Sequence, residues 1–121
     1  MKKLLITLIL VSPFSFADWG DVYYCQMTSY SNVTIEGKRT DYRLETFQFK
    51  LDKTKKAMVF ESSGYFKGEV NTLRPDKSML LKETWVSDGE FSVSFFREGK
   101  FIDANVGPVS STTITANCDK F

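Results

Sequence analysis

Asp88-Gly89-Glu90-Phe91-Ser92-Val93-Ser94-Phe95-Phe96-Arg97-Glu98-Gly99-Lys100-Phe101 is the stretch on which the fold turns. Asp-Gly is among the strongest short-range hairpin signals, because both residues tolerate the positive φ that tight hairpin turns demand. Asp88-Gly89 leads into the run Phe91 to Phe96, and Glu98-Gly99 leads into a second run, Phe101 to Val106. Phe91, Val93 and Phe95 alternate with serines, the two-residue period of a half-buried strand with those three on the core face. Short connections of this kind make antiparallel neighbours, so this half of the chain predicts a meander.

The same pattern extends in both directions. Val22 to Met27, running on toward Tyr30, reads as the first strand, and Tyr42 to Leu51 follows turn material at Glu36-Gly37-Lys38. Phe47, Phe49 and Leu51 share one face there, whereas Tyr42 and Leu44 lie in the opposite phase. A bulge or bend near Thr46 would reconcile the two. Ala57 to Glu61 comes after a turn carrying Lys53, Lys55 and Lys56, and Tyr65 to Val70 comes after Ser62-Ser63-Gly64. Arg74-Pro75-Asp76-Lys77 has proline and aspartate where a type I turn wants them. Met79 to Val86 and Thr112 to Cys118 complete the set. The expectation is an all-β chain: a small antiparallel up-and-down meander of about eight strands, closed or nearly closed into a barrel. A curled β-sandwich is the alternative.

The ends of the chain place it outside the cytoplasm. Lys2 and Lys3 precede an apolar run from Leu4 to Val11, and Ser15 and Ala17 supply the small residues a signal peptidase reads. The run is too short to span a bilayer. Residues 1–17 therefore read as a secretory signal peptide and residues 18–121 as one β-domain, soluble after cleavage near Ala17 and periplasmic or secreted. The 16 basic residues of the whole chain include both leader lysines, so 14 remain against 15 acidic ones. A balanced surface of that kind offers nucleic acid no basic footprint. Strands of about ten residues, as an outer-membrane barrel needs, do not fit eight times into this length. No stable membrane insertion is expected after cleavage.

Cys25 and Cys118 are the two cysteines, near opposite ends of the mature chain. In an oxidising compartment two such thiols pair, which brings the first strand beside the last. A reactive thiol is disfavoured, since there is no Cys-x-x-Cys and no histidine to activate a thiolate.

The absence of histidine also removes imidazole metal sites and every Ser-His or Cys-His nucleophile pair. No glycine-rich phosphate loop is present, and two distant cysteines with scattered acids make no metal constellation. No cofactor, metal or catalytic residue is expected. Carboxylate-pair hydrolysis is the residual enzymatic possibility, with Glu61, Glu69 and Glu83 as candidates because each lies in or beside an apolar run. Asp76, Asp88 and Asp103 read as turn aspartates, and Asn32-Val33-Thr34 matches a glycosylation sequon.

Aromatic residues are the rich feature. Nine phenylalanines survive cleavage, with five tyrosines and two tryptophans. Phe47, Phe49, Phe91, Phe95 and Phe101 alternate within their runs and read as core. Several runs are apolar on both faces, Met79 to Leu81, Trp85-Val86, Phe95-Phe96 and Tyr65-Phe66 among them. An apolar patch left outside a barrel marks a partner surface, and Tyr30, Tyr65 and Trp85 are the candidate contacts. The favoured function is a non-catalytic binding or interaction module with a protein or glycan partner. The alternative is a carrier of a small apolar ligand inside the barrel.

Tyr23-Tyr24-Cys25 near the start and Asn117-Cys118 near the end resemble the periplasmic inhibitors of C-type lysozyme. In that family a small β-barrel has its ends joined by a disulfide, and a Ser/Gly-rich loop enters the target's active site. Ser62-Ser63-Gly64-Tyr65 occupies the place of that loop here. The resemblance covers the two ends and this one stretch, and it implies a periplasmic enzyme inhibitor as a second alternative.

Overall fold

The computed structural model describes residues 17–74 and 84–121. The described chain forms nine strands: β1 (Val22–Thr34), β2 (Arg39–Asp41), β3 (Thr46–Asp52), β4 (Ala57–Phe60), β5 (Val70–Thr72), β6 (Trp85–Asp88), β7 (Ser92–Arg97), β8 (Lys100–Val106) and β9 (Ser110–Lys120). All pairings are antiparallel. Eight strands follow the order β5-β4-β3-β1-β9-β8-β7-β6, and β2 is a short flap on the far half of β1.

The Cys25–Cys118 disulfide is formed, between residues directly opposite one another in the β1–β9 ladder. That ladder runs from Tyr23 with Lys120 to Thr34 with Ser110, and shifts register between Met27 and Ser29. The first and last strands are thus the best-joined pair, and the seam of the barrel falls in mid-chain. Between β5 and β6 a Leu73–Ser87 bridge, the Arg74 amide donating to the Val86 carbonyl (2.8 Å) and an Arg74–Asp88 ion pair draw the edges together. The result is a nearly closed barrel with no exposed sheet edge along most of its circumference.

Rings fill one half of the interior. Phe49, Phe96 and Phe101 are fully or almost fully buried, with Phe47, Phe60, Phe66 and Tyr23 around them. Their centroids lie 4.6 Å (Tyr23–Phe96), 5.2 Å (Phe49–Phe96) and 5.0 Å (Phe47–Phe101) apart, the spacing of favourable aromatic pairs. Trp19 meets Trp85 edge to face at 4.8 Å, while the Gly20 amide donates to the Leu51 carbonyl. The leading segment therefore covers the end of the barrel from which β1 departs.

Several expectations change. Phe91 is exposed and Phe95 half-buried, whereas Phe96 is in the core, so the inward face of β7 reads Ser92, Ser94, Phe96. Tyr65 to Val70 is not one strand: residues 62–68 turn, with Gly64 and Gly68 at positive φ, and pairing resumes at Val70. No bulge is needed at Thr46, because Tyr42 and Leu44 are exposed in the connection before β3 begins. The irregularity lies on β1 instead. Asp103 stands in the middle of β8, not at a turn. Residues 1–16 of the expected signal peptide 1–17, the expected Pro75-Asp76 turn, Met79 to Leu81 and Glu83 lie outside the described residues.

Candidate functional site

Followed away from the disulfide, the inward faces change chemistry. On β9 they run Cys118, Ala116, Ile114, Thr112; on β8 Phe101, Asp103, Asn105; on β7 Phe96, Ser94, Ser92. Register places the polar members side by side, Ser94 opposite Asp103, Ser92 opposite Asn105, and Asn105 opposite Thr112. Across the mouth stand Tyr30 of β1, Tyr42, Tyr65, Glu69 and Asn71 of β5. Together they enclose a cleft of about 350 Å³, with Phe66 and Ile114 among its lining residues.

Tyrosines form one wall. Tyr30 lies 4.8 Å from Tyr42 and 5.1 Å from Tyr65, centroid to centroid, and its hydroxyl hydrogen-bonds the Tyr65 hydroxyl at 3.1 Å. Gly64 holds this wall in place. Its φ of +97° is left-handed, and a Cβ there would sit 3.0 Å from the Thr46 carbonyl oxygen and 3.1 Å from the Phe47 Cα. Only glycine allows so close an approach, after which the Tyr65 amide donates to that same carbonyl.

Two acids also line the cleft, Asp103 from β8 and Glu69 from across the mouth. Asp103 accepts a hydrogen bond from the Ser94 hydroxyl, yet burial outweighs that bond and pushes its carboxyl above the usual range. Glu69 is also pushed up, first by burial and then by the negative charge of Asp103. Burial, the Tyr30 hydrogen bond and the charges of Tyr30, Asp103 and Glu45 all raise the Tyr65 phenol. Among the described residues no lysine or arginine lines the cleft. The mouth is a negative, ring-walled recess whose described lining contains no cation.

Its rim is apolar. Ile35, Val109, Phe91 and Val106 are 72, 64, 60 and 60 % exposed. The Val106 amide donates to the Phe91 carbonyl and the Ile35 amide to the Val109 carbonyl, so the backbones of each pair are adjacent where the cleft strands end.

Of the candidate contacts, the structure brings Tyr30 and Tyr65 together in this cleft and removes Trp85 from any surface. Trp85 is wholly buried, and Val86 on the opposite face is 2 % exposed, so both faces of β6 are covered at this point. Glu69, though exposed, lines the cleft, whereas Glu61, also exposed, receives a hydrogen bond from the Gln48 amide on the outer wall. Ser62 and Ser63 are exposed in the bend leading to Tyr65. Asn32 is half-buried in β1, its side-chain amide donating to the Thr112 hydroxyl, a poor setting for a glycan. Asp103, Asn105 and Ser92 were missed as site residues. Their signal was available as the phase they share with Phe101 and Phe96. Among the described residues no group of three cysteine or acidic side chains is arranged to hold a metal ion. No family model, no curated protein and no solved structure matches the chain.

Proposed function

We propose that the protein is an exported, non-catalytic binding module that engages a macromolecular partner through the mouth of its barrel. The observation that carries this reading is a cleft lined by Tyr30, Tyr42 and Tyr65 at the end of the barrel that also exposes Ile35, Phe91, Val106 and Val109. Recessed anchor sites ringed by apolar contact area are how protein interfaces concentrate their energy. Apolar residues exposed together also mark interaction surfaces on small domains.

Export rests on the basic and apolar leader with its Ser15/Ala17 cleavage pattern, and a disulfide suits an oxidising compartment. One detail supports cleavage after Ala17. The Asp18 nitrogen lies 2.8 Å from the Asp21 carboxylate, which also pairs with Lys120 at 3.3 Å. A new amino terminus at Asp18 would place an ammonium in that ion pair.

An enzyme inhibitor is one form of the binding reading, with the exposed Ser62-Ser63 bend adjoining the cleft. A carrier of an apolar ligand is weaker, because rings fill the lower barrel and acids, amides and hydroxyls line the remaining space. Carboxylate-pair hydrolysis is the second reading, favoured by Glu69 and Asp103 sharing one cleft with both carboxyls raised.

The test immobilises the mature protein and three variants: Asn105→Trp, which fills the cleft, Val109→Glu, which charges the rim, and Asp103→Asn. Each is exposed to the extracytoplasmic fraction of the producing cell. A protein or glycan held by wild type and released by the first two supports the module. Retention by all, or by none, overturns it. Turnover of a chromogenic glycoside or ester by wild type and not by Asp103→Asn favours hydrolysis instead.

A further inference from the structure

We propose that the cleft receives a cationic side chain of a protein partner, an arginine guanidinium in the first instance. This rests on the binding-module reading and names what enters the mouth. Tyr30, Tyr42 and Tyr65 line the cleft with rings, and Glu69 and Asp103 line it with carboxyl groups. Rings and carboxylates attract the same kind of guest, one through the negative π face and the other through charge-assisted hydrogen bonds.

The charge balance points the same way. The Asp103 charge raises the Glu69 carboxyl, and among the described residues no basic side chain lines the cleft to relieve the two acids. A neutral guest, a sugar included, would leave both charges uncompensated and further desolvated. A cation neutralises them as it enters. A guanidinium suits the site better than a compact ammonium, because its flat face stacks on a ring while its five donors reach separate acceptors. Asn71 and Asn105 offer amide oxygens beside the two acids.

Size and surroundings identify the source. A cleft of about 350 Å³ is at the small end of ligand sites, room for one long side chain. A free small cation would make no use of the exposed Ile35, Phe91, Val106 and Val109 around it. A folded partner or peptide would cover them while its arginine filled the centre.

The experiment follows backbone amide shifts of the mature, disulfide-bonded protein by NMR. The probes are ethylguanidinium, its neutral isostere N-ethylurea, and the blocked tripeptide acetyl-Ala-Arg-Ala-amide. Ethylguanidinium is expected to shift amides around Asp103, Asn105 and Tyr65 saturably, with affinity on the order of 1 mM and at least tenfold tighter than N-ethylurea. The tripeptide should bind as tightly or more so. Asp103→Asn and Glu69→Gln should each weaken the cation tenfold or more. Asn retains the acceptor for Ser94, so unchanged β7–β8 shifts establish that the variant is folded. Equal response to the urea, no saturable response at the cleft, or indifference to both substitutions overturns the proposal. A response to ethylguanidinium without one to the tripeptide overturns the protein source. If ethylguanidinium fails while Asn105→Trp still releases a captured partner, this inference falls and the module stands. If Asn105→Trp releases nothing, the module reading falls.

Discussion

Replacing Cys25 and Cys118 together by alanine should lower stability by about 6 kcal/mol. The bond closes a loop of sequence separation 93. In the chain-entropy treatment, a loop of that length restricts the unfolded ensemble by about 4.7 kcal/mol at 25 °C. The two sulfurs are also buried, Cys25 completely and Cys118 at 7 % exposure, so alanine adds a small cavity term on the order of 1 kcal/mol. Native hydrogen bonding offsets none of this, because the β1–β9 ladder does not depend on the side chains it passes between. For a domain of this size the loss corresponds to roughly 20 °C in melting temperature.

The assay is urea and thermal unfolding of three species by far-ultraviolet circular dichroism: oxidised wild type, wild type under reductant, and the double alanine chain. Reduction keeps the sulfur volume, so the gap between the second and third species isolates the cavity, and the gap between the first and second isolates the crosslink. The urea m-value should rise on reduction, since the freed chain exposes more surface when it unfolds. A crosslink effect below about 2 kcal/mol would refute the reasoning. It would mean that the unfolded chain already holds its ends together, leaving the bond little entropy to remove.

Gly64→Ala should destabilise by about 1–3 kcal/mol, from a left-handed φ and a Cβ driven onto the Thr46 carbonyl, measured by urea midpoint; unchanged stability would show that the bend reroutes freely. The Tyr23 phenol is pushed up to about 12 by burial and then by Asp21, against about 10 unfolded. Its contribution is complete below pH 10 and is lost as pH rises from 10 to 12, so Tyr23→Phe should flatten the stability decline in that window. Asp103, faced by Glu69, Tyr65 and Ser94, has a raised folded pKa, so its contribution is present at low pH and lost as pH rises through that value. Asp103→Asn should therefore be more stable than wild type at pH 7, with the gain fading toward pH 4 in parallel urea titrations; a loss at pH 7 would contradict the burial argument.

Strand identity was legible wherever a strand buries one face and wets the other. Phe47, Phe49 and Leu51 alternate on β3 and all are buried. The cysteines placed β1 beside β9, since no other pairing of two thiols exists. The seam between β5 and β6 was not legible, because nothing in Val70-Asn71-Thr72 or Trp85-Val86-Ser87 distinguishes an edge from a centre. Hydrophobic alternation misassigned β7, where Phe91, Val93 and Phe95 look like the core phase and Ser92, Ser94 and Phe96 are. The rule assumes that inward means apolar, and it fails where the inside of the barrel is a polar site. The same assumption hid Asp103, although it is two residues from Phe101 and shares its face. Tyr30 and Tyr65 line the cleft and were legible because aromatic residues remain conspicuous in either setting.

That failure carries information about function. On three adjacent strands the inward face passes from apolar to polar within about four residues, at the Ser94–Asp103 pair on β7 and β8 and one pair further on, at Thr112, on β9. A sequence selected for stability alone would continue the ring packing upward, since apolar burial is favourable and an ionised Asp103 beside Glu69 is not. The lower half can carry the difference: a packed set of phenylalanines and a terminal crosslink provide stability that the mouth then spends. Substitutions that stabilise the mouth should accordingly impair binding, and those in the ring core should impair stability without changing what the mouth selects. Asp103→Asn and Phe49→Ala are the contrasting pair. If Asp103→Asn were both more stable and an undiminished binder, the polar mouth would have no functional reason to exist, and the division of the barrel would need another cause.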